Sequence, residues 1–288
     1  MDKKKLLITG AYGLVGSNIC KVLERDYPDI EVYKSKCDEN DPISPEKYDY
    51  IIHAAGYGQP QMFSKDKIRT IEINTILTTV LLDRLKPNGK FLFVSTSEVY
   101  SGAKSPYKET EIGTTTPQHP RACYIEGKRC GEAICMAYSE QGYDVKIARL
   151  ALAYGPGTKK GDTRVINHFI EQALTRKAII MKDDGSAMRT YLYVDDAVKM
   201  LLNILFEGTG VVYNVGGFSR VSIKDLAHGI AILTGSAVME GQKSLEGSPD
   251  DVALDMTKYI NKFGGSFTPL SIGLRNTIEY QKQLYGIK

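Results

Sequence analysis

Tyr124 and Lys128 stand four residues apart in Tyr-Ile-Glu-Gly-Lys, and a Ser-Thr-Ser-Glu run, Ser95 to Glu98, lies upstream of them. At i and i+4 a tyrosine and a lysine share one helix face, about 6 Å apart along the axis. A phenol is a poor base at neutral pH, with a reference pKa of about 10. A fixed ammonium nearby favours phenolate and can lower that pKa by roughly 1–3. Such a pair can take a hydroxyl proton while hydride leaves the attached carbon, and a small hydroxyl side chain such as Thr96 would hold the reacting oxygen. Tyr100 and Lys104 repeat the same spacing. They lie among Gly102, Ser105 and Pro106, which oppose a helix, so the second pair is not expected to align.

Hydride needs a carrier, and the glycines of Thr9-Gly-Ala-Tyr-Gly-Leu-Val-Gly16 supply a place for one. They follow the short apolar run Leu6-Leu7-Ile8 and precede a helical pattern over residues 14–26, the context that gives a glycine fingerprint meaning. Gly10 permits a tight turn, Gly13 lets a diphosphate approach the backbone, and Gly16 lets the helix sit close to the strand. The helix start then favours the phosphate charge. Tyr12, Leu14 and Val15 complete the candidate loop. An acid after the second strand, residues 30–33, would bind the ribose hydroxyls of NAD. Lys34-Ser35-Lys36 stands there instead. Lys34 and Lys36 would attract a 2′-phosphate and lean toward NADP, while Asp38 is placed to accept from an adenine amino group.

These groups need a frame. Apolar strands are expected at 6–9, 30–33, 50–55, 90–95 and 145–150, alternating with helices at 14–26, 66–86 and 123–141. That alternation predicts an α/β fold: a Rossmann-type, doubly wound parallel sheet covered on both faces. From about residue 155 it lapses. A helix at 163–176, a strand at 189–194, a helix at 195–206 and a carboxy-terminal helix read as a smaller substrate lobe. The expected division is 1–154 and 155–288, with some elements interleaved.

Composition excludes little but constrains partners. The chain has 288 residues, 42% hydrophobic and 25% charged, with a net charge of +3, which is ordinary for a globular protein. Its lysines are scattered, so no nucleic-acid partner is expected. No apolar run has the length of a membrane span, and no secretory signal is recognised, so a cytoplasmic protein is expected. The five cysteines include no Cys-x-x-Cys pair and the four histidines do not cluster with them, so no metal site is expected.

Longer stretches carry a resemblance. Val94 to Tyr100, Pro120 to Arg129, Asn74-Thr75, Gly161 to Val165 and Arg189 to Asp196 resemble the extended short-chain dehydrogenases/reductases of the nucleotide-sugar epimerase/dehydratase family, and UDP-glucuronate decarboxylases within it. The resemblance covers nearly the whole chain. It implies Tyr124 and Lys128 as the catalytic pair, Thr96 as holder of the sugar hydroxyl and Glu98 as an acidic group near the sugar. It implies Asn74 in the active site, Ala54-Ala55-Gly56 along the cofactor, and Ser97, Arg164 and Arg189 toward substrate. It also implies NAD, against the local charge, and a homodimer pairing through residues 66–86 and 123–141. The chain departs from the family at Leu152 or a neighbour, where an asparagine is usual, and at Val252-Ala253-Leu254, where an arginine often precedes the aspartate. Both departures fall on diphosphate contacts. The expected activity is oxidation of a sugar ring hydroxyl, at C4, as in epimerases, dehydratases or decarboxylases. An NADP-dependent 4-keto-sugar reductase and a non-catalytic dinucleotide sensor are the rivals. Intact Thr96, Tyr124 and Lys128 oppose the sensor, which needs no acid/base pair.

Overall fold

The structure, a computed structural model, describes residues 3–37, 43–241 and 251–287. The amino-terminal part runs β1 (Lys4–Thr9), α1 (Leu14–Asp26), β2 (Ile30–Ser35), β3 (Tyr48–His53), α2 (Pro60–Lys65), α3 (Lys67–Asn74), α4 (Ile76–Leu82), β4 (Leu85–Thr96), α5 (Ala122–Glu140) and β5 (Asp144–Leu150), with a 3-10 turn at Ser97–Tyr100 after β4. Alternate residues of each strand feed opposite cores. Leu6, Ile8, Leu92 and Val94 enter one, and Leu7, Phe91 and Phe93 the other. Burial on both faces is why these strands read as apolar runs rather than as alternating ones.

The helix expected over 66–86 is two helices, broken at Thr75. The side chains of Thr70, Asn74, Thr75 and Thr78 each donate to the carbonyl four residues back, at 2.6–2.8 Å. Such back-bonding competes with the helical ladder and bends it. α4 stops at Leu82, and β4 starts earlier than expected, with an irregular register against β3 between Tyr48 and Tyr50.

Beyond residue 150 follow β6 (Ala153–Tyr154), α6 (Val165–Arg176), β7 (Ala178–Ile180), β8 (Met188–Tyr193), α7 (Val194–Glu207), β9 (Val212–Val215), β10 (Ser219–Ser222), α8 (Ile223–Thr234), β11 (Ala237–Met239), β12 (Asp251–Val252), α9 (Thr257–Phe263) and α10 (Leu270–Tyr285). β9 joins the main sheet, whose order is β2-β1-β3-β4-β5-β9 and whose pairs are all parallel. This is the Rossmann-type α/β fold. α7 also returns to the first core through Val194, Ala197, Val198 and Leu201. α9 joins that core through Tyr259, while α6, β7, β8, α8 and α10 enclose a separate core around Phe169, Ile170, Tyr191, Leu226 and Ile230. Among the described residues no helix is long and apolar enough to cross a membrane.

Candidate active site

The chain leaves β1 toward β2 on one side and returns through β3 on the other, so the carboxyl ends of β1 and β3 flank a switch point where α/β sheets bind ligands. A cleft opens there. Gly10, Gly13 and Gly16 border it from β1, Ala54 to Gln59 from β3, and Thr96, Ser97 and Glu98 from β4. The glycine loop fits a dinucleotide diphosphate. Gly10 has φ +69°, and a Cβ there would lie 2.5 Å from the Ala54 carbonyl oxygen. A Cβ on Gly16 would lie 2.3 Å from the Gly10 oxygen. No side chain caps α1, so the N–H groups of its first turn, beside the cleft at Leu14, Val15 and Gly16, remain for an anion.

Tyr124 and Lys128 lie on one face of α5, and with Thr96 they border this same cleft. The expected lowering of the phenol by the ammonium is overturned. Burial, then the Glu98 carboxylate, push the Tyr124 phenol up to about 12, against the pull of Thr96, Arg121 and Arg164. Lys128 donates to the Val94 carbonyl oxygen at 2.7 Å and lies over the Phe93 ring. It is 4% exposed, and burial pushes it down to about 7 despite Glu132. The helical spacing set the alignment as expected, but desolvation is the largest influence on each partner. Tyr100 is buried outside the cleft. Its hydroxyl donates to Asn214 Oδ1 at 2.7 Å and accepts from Arg149 at 2.8 Å.

Ser97 and Arg164 border the cleft as well. Arg164 stands just before α6, makes no side-chain cap to it, and is clasped by the buried Asp162, Nε to Oδ1 at 3.0 Å. Asn74 is buried on α3, its Oδ1 without a hydrogen-bond partner among the described residues. A side chain at Gly56 would meet Asn74 Oδ1 and Lys128 Nζ, each at 3.8 Å. Leu152 borders the cleft with φ +37°, a region where a leucine is strained.

Other expected residues lie apart. Lys34 turns to α1 and pairs with Glu24 at 2.5 Å. Lys36 stands over the Tyr12 ring, 5.3 Å from its centre, and Tyr12 itself is half exposed beside the loop rather than on the cleft wall. Arg189 donates to the Met188 carbonyl at 2.7 Å and does not border the cleft. Asp38 lies outside the described residues.

Sequence reasoning missed the residues behind the wall. Ser95 donates to Glu132 at 2.5 Å, and Glu132 holds Arg149 through two nitrogens. Arg149 reaches Tyr100 and the Glu109 and Glu111 carbonyls, and Asn214 ties Tyr100 to Tyr107 and Asp255. This network fixes the end of β4 against the 101–121 loop. His53 accepts from Thr9 at Nδ1, 2.7 Å, and donates from Nε2 to the Ile73 carbonyl. Burial holds it neutral, its pKa down at about 3. It locks β1, β3 and α3 together beneath the cofactor loop. Its place at the end of an apolar strand was the only available signal.

A switch-point cleft with a glycine loop and an aligned tyrosine-lysine pair defines a dinucleotide-dependent oxidoreductase-type site on a Rossmann fold. Residues 6–216 match the NAD dependent epimerase/dehydratase family, and the chain belongs to it. UDP-glucuronic acid decarboxylase 1 of Danio rerio is 31% identical over 97% of this chain and 73% of its own length. The UDP-glucuronic acid 4-epimerase of Bacillus cereus, solved with UDP-glucuronic acid and NAD, superposes with a TM-score of 0.82 at 25% identity, over 98% of this chain and 100% of that one. RMD of Pseudomonas aeruginosa, solved with NADPH, shares the fold with a TM-score of 0.83 at 24% identity, covering 98% and 99%. The protein is thus an enzyme of the NAD-dependent epimerase, dehydratase and decarboxylase type.

Proposed function

We propose that the protein oxidises the C4 hydroxyl of a nucleotide-linked uronic acid and that decarboxylation follows. The observation that carries this reading is the meeting of Thr96, Glu98 and Tyr124 beside the glycine loop in one cleft. The relatives named above support the substrate class, since one is a UDP-glucuronic acid decarboxylase and the other holds UDP-glucuronic acid. When bound, the nicotinamide supplies the hydride acceptor and a ring charge that favours phenolate. Gly10, Gly13, Gly16 and the start of α1 hold its diphosphate, with Ala54, Ala55, Gly56 and Asn74 along its length. Thr96 holds the sugar oxygen, and Tyr124 takes the hydroxyl proton. A ketone at C4 makes the C5 carboxylate that of a β-keto acid: the C5–C6 bond breaks as carbon dioxide leaves, C5 takes a proton from a water held by Glu98, and hydride and the Tyr124 proton return to C4 and its oxygen. Ser97 and Arg164, which border the cleft, serve the rest of the substrate.

The test is incubation with NAD and UDP-glucuronate, read by mass spectrometry. Loss of carbon dioxide supports decarboxylation, an isomer of unchanged mass points to epimerisation, and unchanged substrate refutes the substrate class. Lys36 beside the cofactor loop favours a second reading, an NADPH-dependent 4-keto-sugar reductase. Retained NAD in the purified protein speaks for a closed redox cycle, whereas exchangeable NADPH speaks for the reductase. We further propose a homodimer, formed through α3, α4 and α5.

A further inference from the structure

We propose that Arg121 is a positioning residue that holds the Glu98 carboxylate in the cleft wall through one of its two oxygens. Arg121 stands at the entry to α5, and its carbonyl accepts from the Tyr124 and Ile125 N–H groups at 3.0 and 3.1 Å. A cation is the wrong charge for a helix start, where the macrodipole is positive, and no acid lies in the first turn of α5. The complementary acid comes from another element: Arg121 Nη2 donates to Glu98 Oε1, across from the 3-10 turn that follows β4. Glu98 is otherwise held by its own backbone, its N–H donating to Thr96 Oγ1 at 3.2 Å.

The pairing is single where an arginine and a carboxylate could pair doubly. Glu98 Oε2 and Arg121 Nε are both buried without a hydrogen-bond partner among the described residues. An unpaired buried carboxylate oxygen is a rare thing in a folded protein, and this one belongs to a residue of the cleft wall. Arg121 is also tied to the general base. Its guanidinium lies 5.4 Å from the centre of the Phe63 ring, and Phe63 stacks on Tyr124 at 4.7 Å and 3°.

The charges around Glu98 set its state. Burial favours the protonated acid, and Arg121 opposes this by charge and by hydrogen bond. Tyr124 from α5 and the Thr96 hydroxyl from β4 are the other polar neighbours, and Arg164 at the start of α6 reaches the same phenol. Arg121 thus draws Glu98 toward the carboxylate, and removing it leaves the effect of burial unopposed.

The proposal rests on Glu98 serving the proposed reaction, so its first test needs no substrate. Carbon-13 NMR of glutamate-labelled protein, with the Glu98 signal assigned by its loss in Glu98→Gln, gives the titration directly. In Arg121→Met the Glu98 midpoint is expected at least one pH unit higher, a tenfold change, with Arg121→Lys in between. The low-pH limb of UDP-glucuronate turnover is expected to rise by the same amount, with rate recovered in alkali, which a merely structural role does not produce. An unmoved Glu98 midpoint in Arg121→Met overturns the proposal, and so does an unmoved midpoint in Arg121→Lys should the methionine variant fail to fold. A shifted midpoint in a protein that leaves UDP-glucuronate untouched retires the substrate and keeps the positioning role.

Discussion

Residue types and spacings made Thr96, Tyr124 and Lys128, which meet in the cleft, readable; the charges that act on them were not. Tyr124, Lys128 and Thr96 follow from helical period and strand order, but burial is a property of the folded chain, and it reverses the expected electrostatics of the pair. Tyr124→Phe is expected to lower turnover by roughly 100- to 10,000-fold, the usual cost of losing an acid/base group, with dinucleotide affinity retained. Tyr100→Phe is expected to act on stability instead, by about 1–3 kcal/mol, because Asn214 Oδ1 loses its donor in a buried network. Comparable turnover losses from the two would refute the assignment. Lys128 yields a pH prediction. Its folded pKa, about 7, lies below the unfolded value of about 10.4. Between these the unfolded chain binds more protons, so stability rises with pH across that window. Relative to inactive Lys128→Met, the wild type is expected to gain stability in denaturant melts from about pH 7 upward; parallel curves would show that the ammonium is not desolvated. Lys34 pairs with Glu24, and the cofactor prediction is tested at Lys36, which stands over the Tyr12 ring beside the loop. Lys36→Asp is expected to move preference from NADP(H) toward NAD(H) by roughly fivefold or more, the worth of an exposed charge contact. Tighter NAD(H) binding, unchanged in that variant by calorimetry, means the lysine does not meet a 2′-phosphate.

Long, strongly periodic segments gave β1, β2, β3, β4 and β5 within a few residues, whereas β9 was not read as a strand. The misses have local causes. Threonine and asparagine back-bonds break the 66–86 helix, and they do so where the chain must turn Asn74 inward, so the break belongs to the site. The short strands β7, β10, β11 and β12 carry too few residues for a period to register. Close approach of α3 to α5 is a further feature that spacing concealed. A Cβ on Gly131 would fall 2.5 Å from the Asn74 carbonyl oxygen and 2.6 Å from Phe93, whereas one on Gly127 meets nothing nearer than 3.6 Å. Gly131→Ala is therefore expected to destabilise by about 1–3 kcal/mol through overpacking, and to disturb activity through Asn74. Gly127→Ala is expected to be neutral or to stabilise by up to about 1 kcal/mol from helix propensity. Equal melting temperatures for the two would mean that α3 shifts freely away from α5.

At the scale of the whole molecule, alternation of strands and helices predicted the sheet, but nothing in it marked β9 and α7 as returning to that sheet from beyond residue 154. Parallel pairing joins segments far apart in the chain, and local pattern is blind to which partner a strand will find. Assembly is a surface property and equally hidden. α3 and α4 nevertheless leave Ile68, Ile71, Ile76 and Val80 exposed, Ile68 by 74% and Ile76 by 62%, and α5 exposes Met136. Single exposed apolar residues are common, but several on consecutive helices make a surface that burial would stabilise. These are also the helices that carry Asn74, Tyr124 and Lys128 on their inner faces, so pairing there would stiffen the site from behind. The wild type is expected to sediment as a dimer at micromolar concentration. Ile68→Glu with Ile76→Glu is expected to yield a folded monomer, because each charge would have to be buried unpaired in the dimer. Its dinucleotide affinity should persist while turnover falls. A wild type that sediments as a monomer at every concentration tried would remove the dimer and leave the exposed isoleucines without a role.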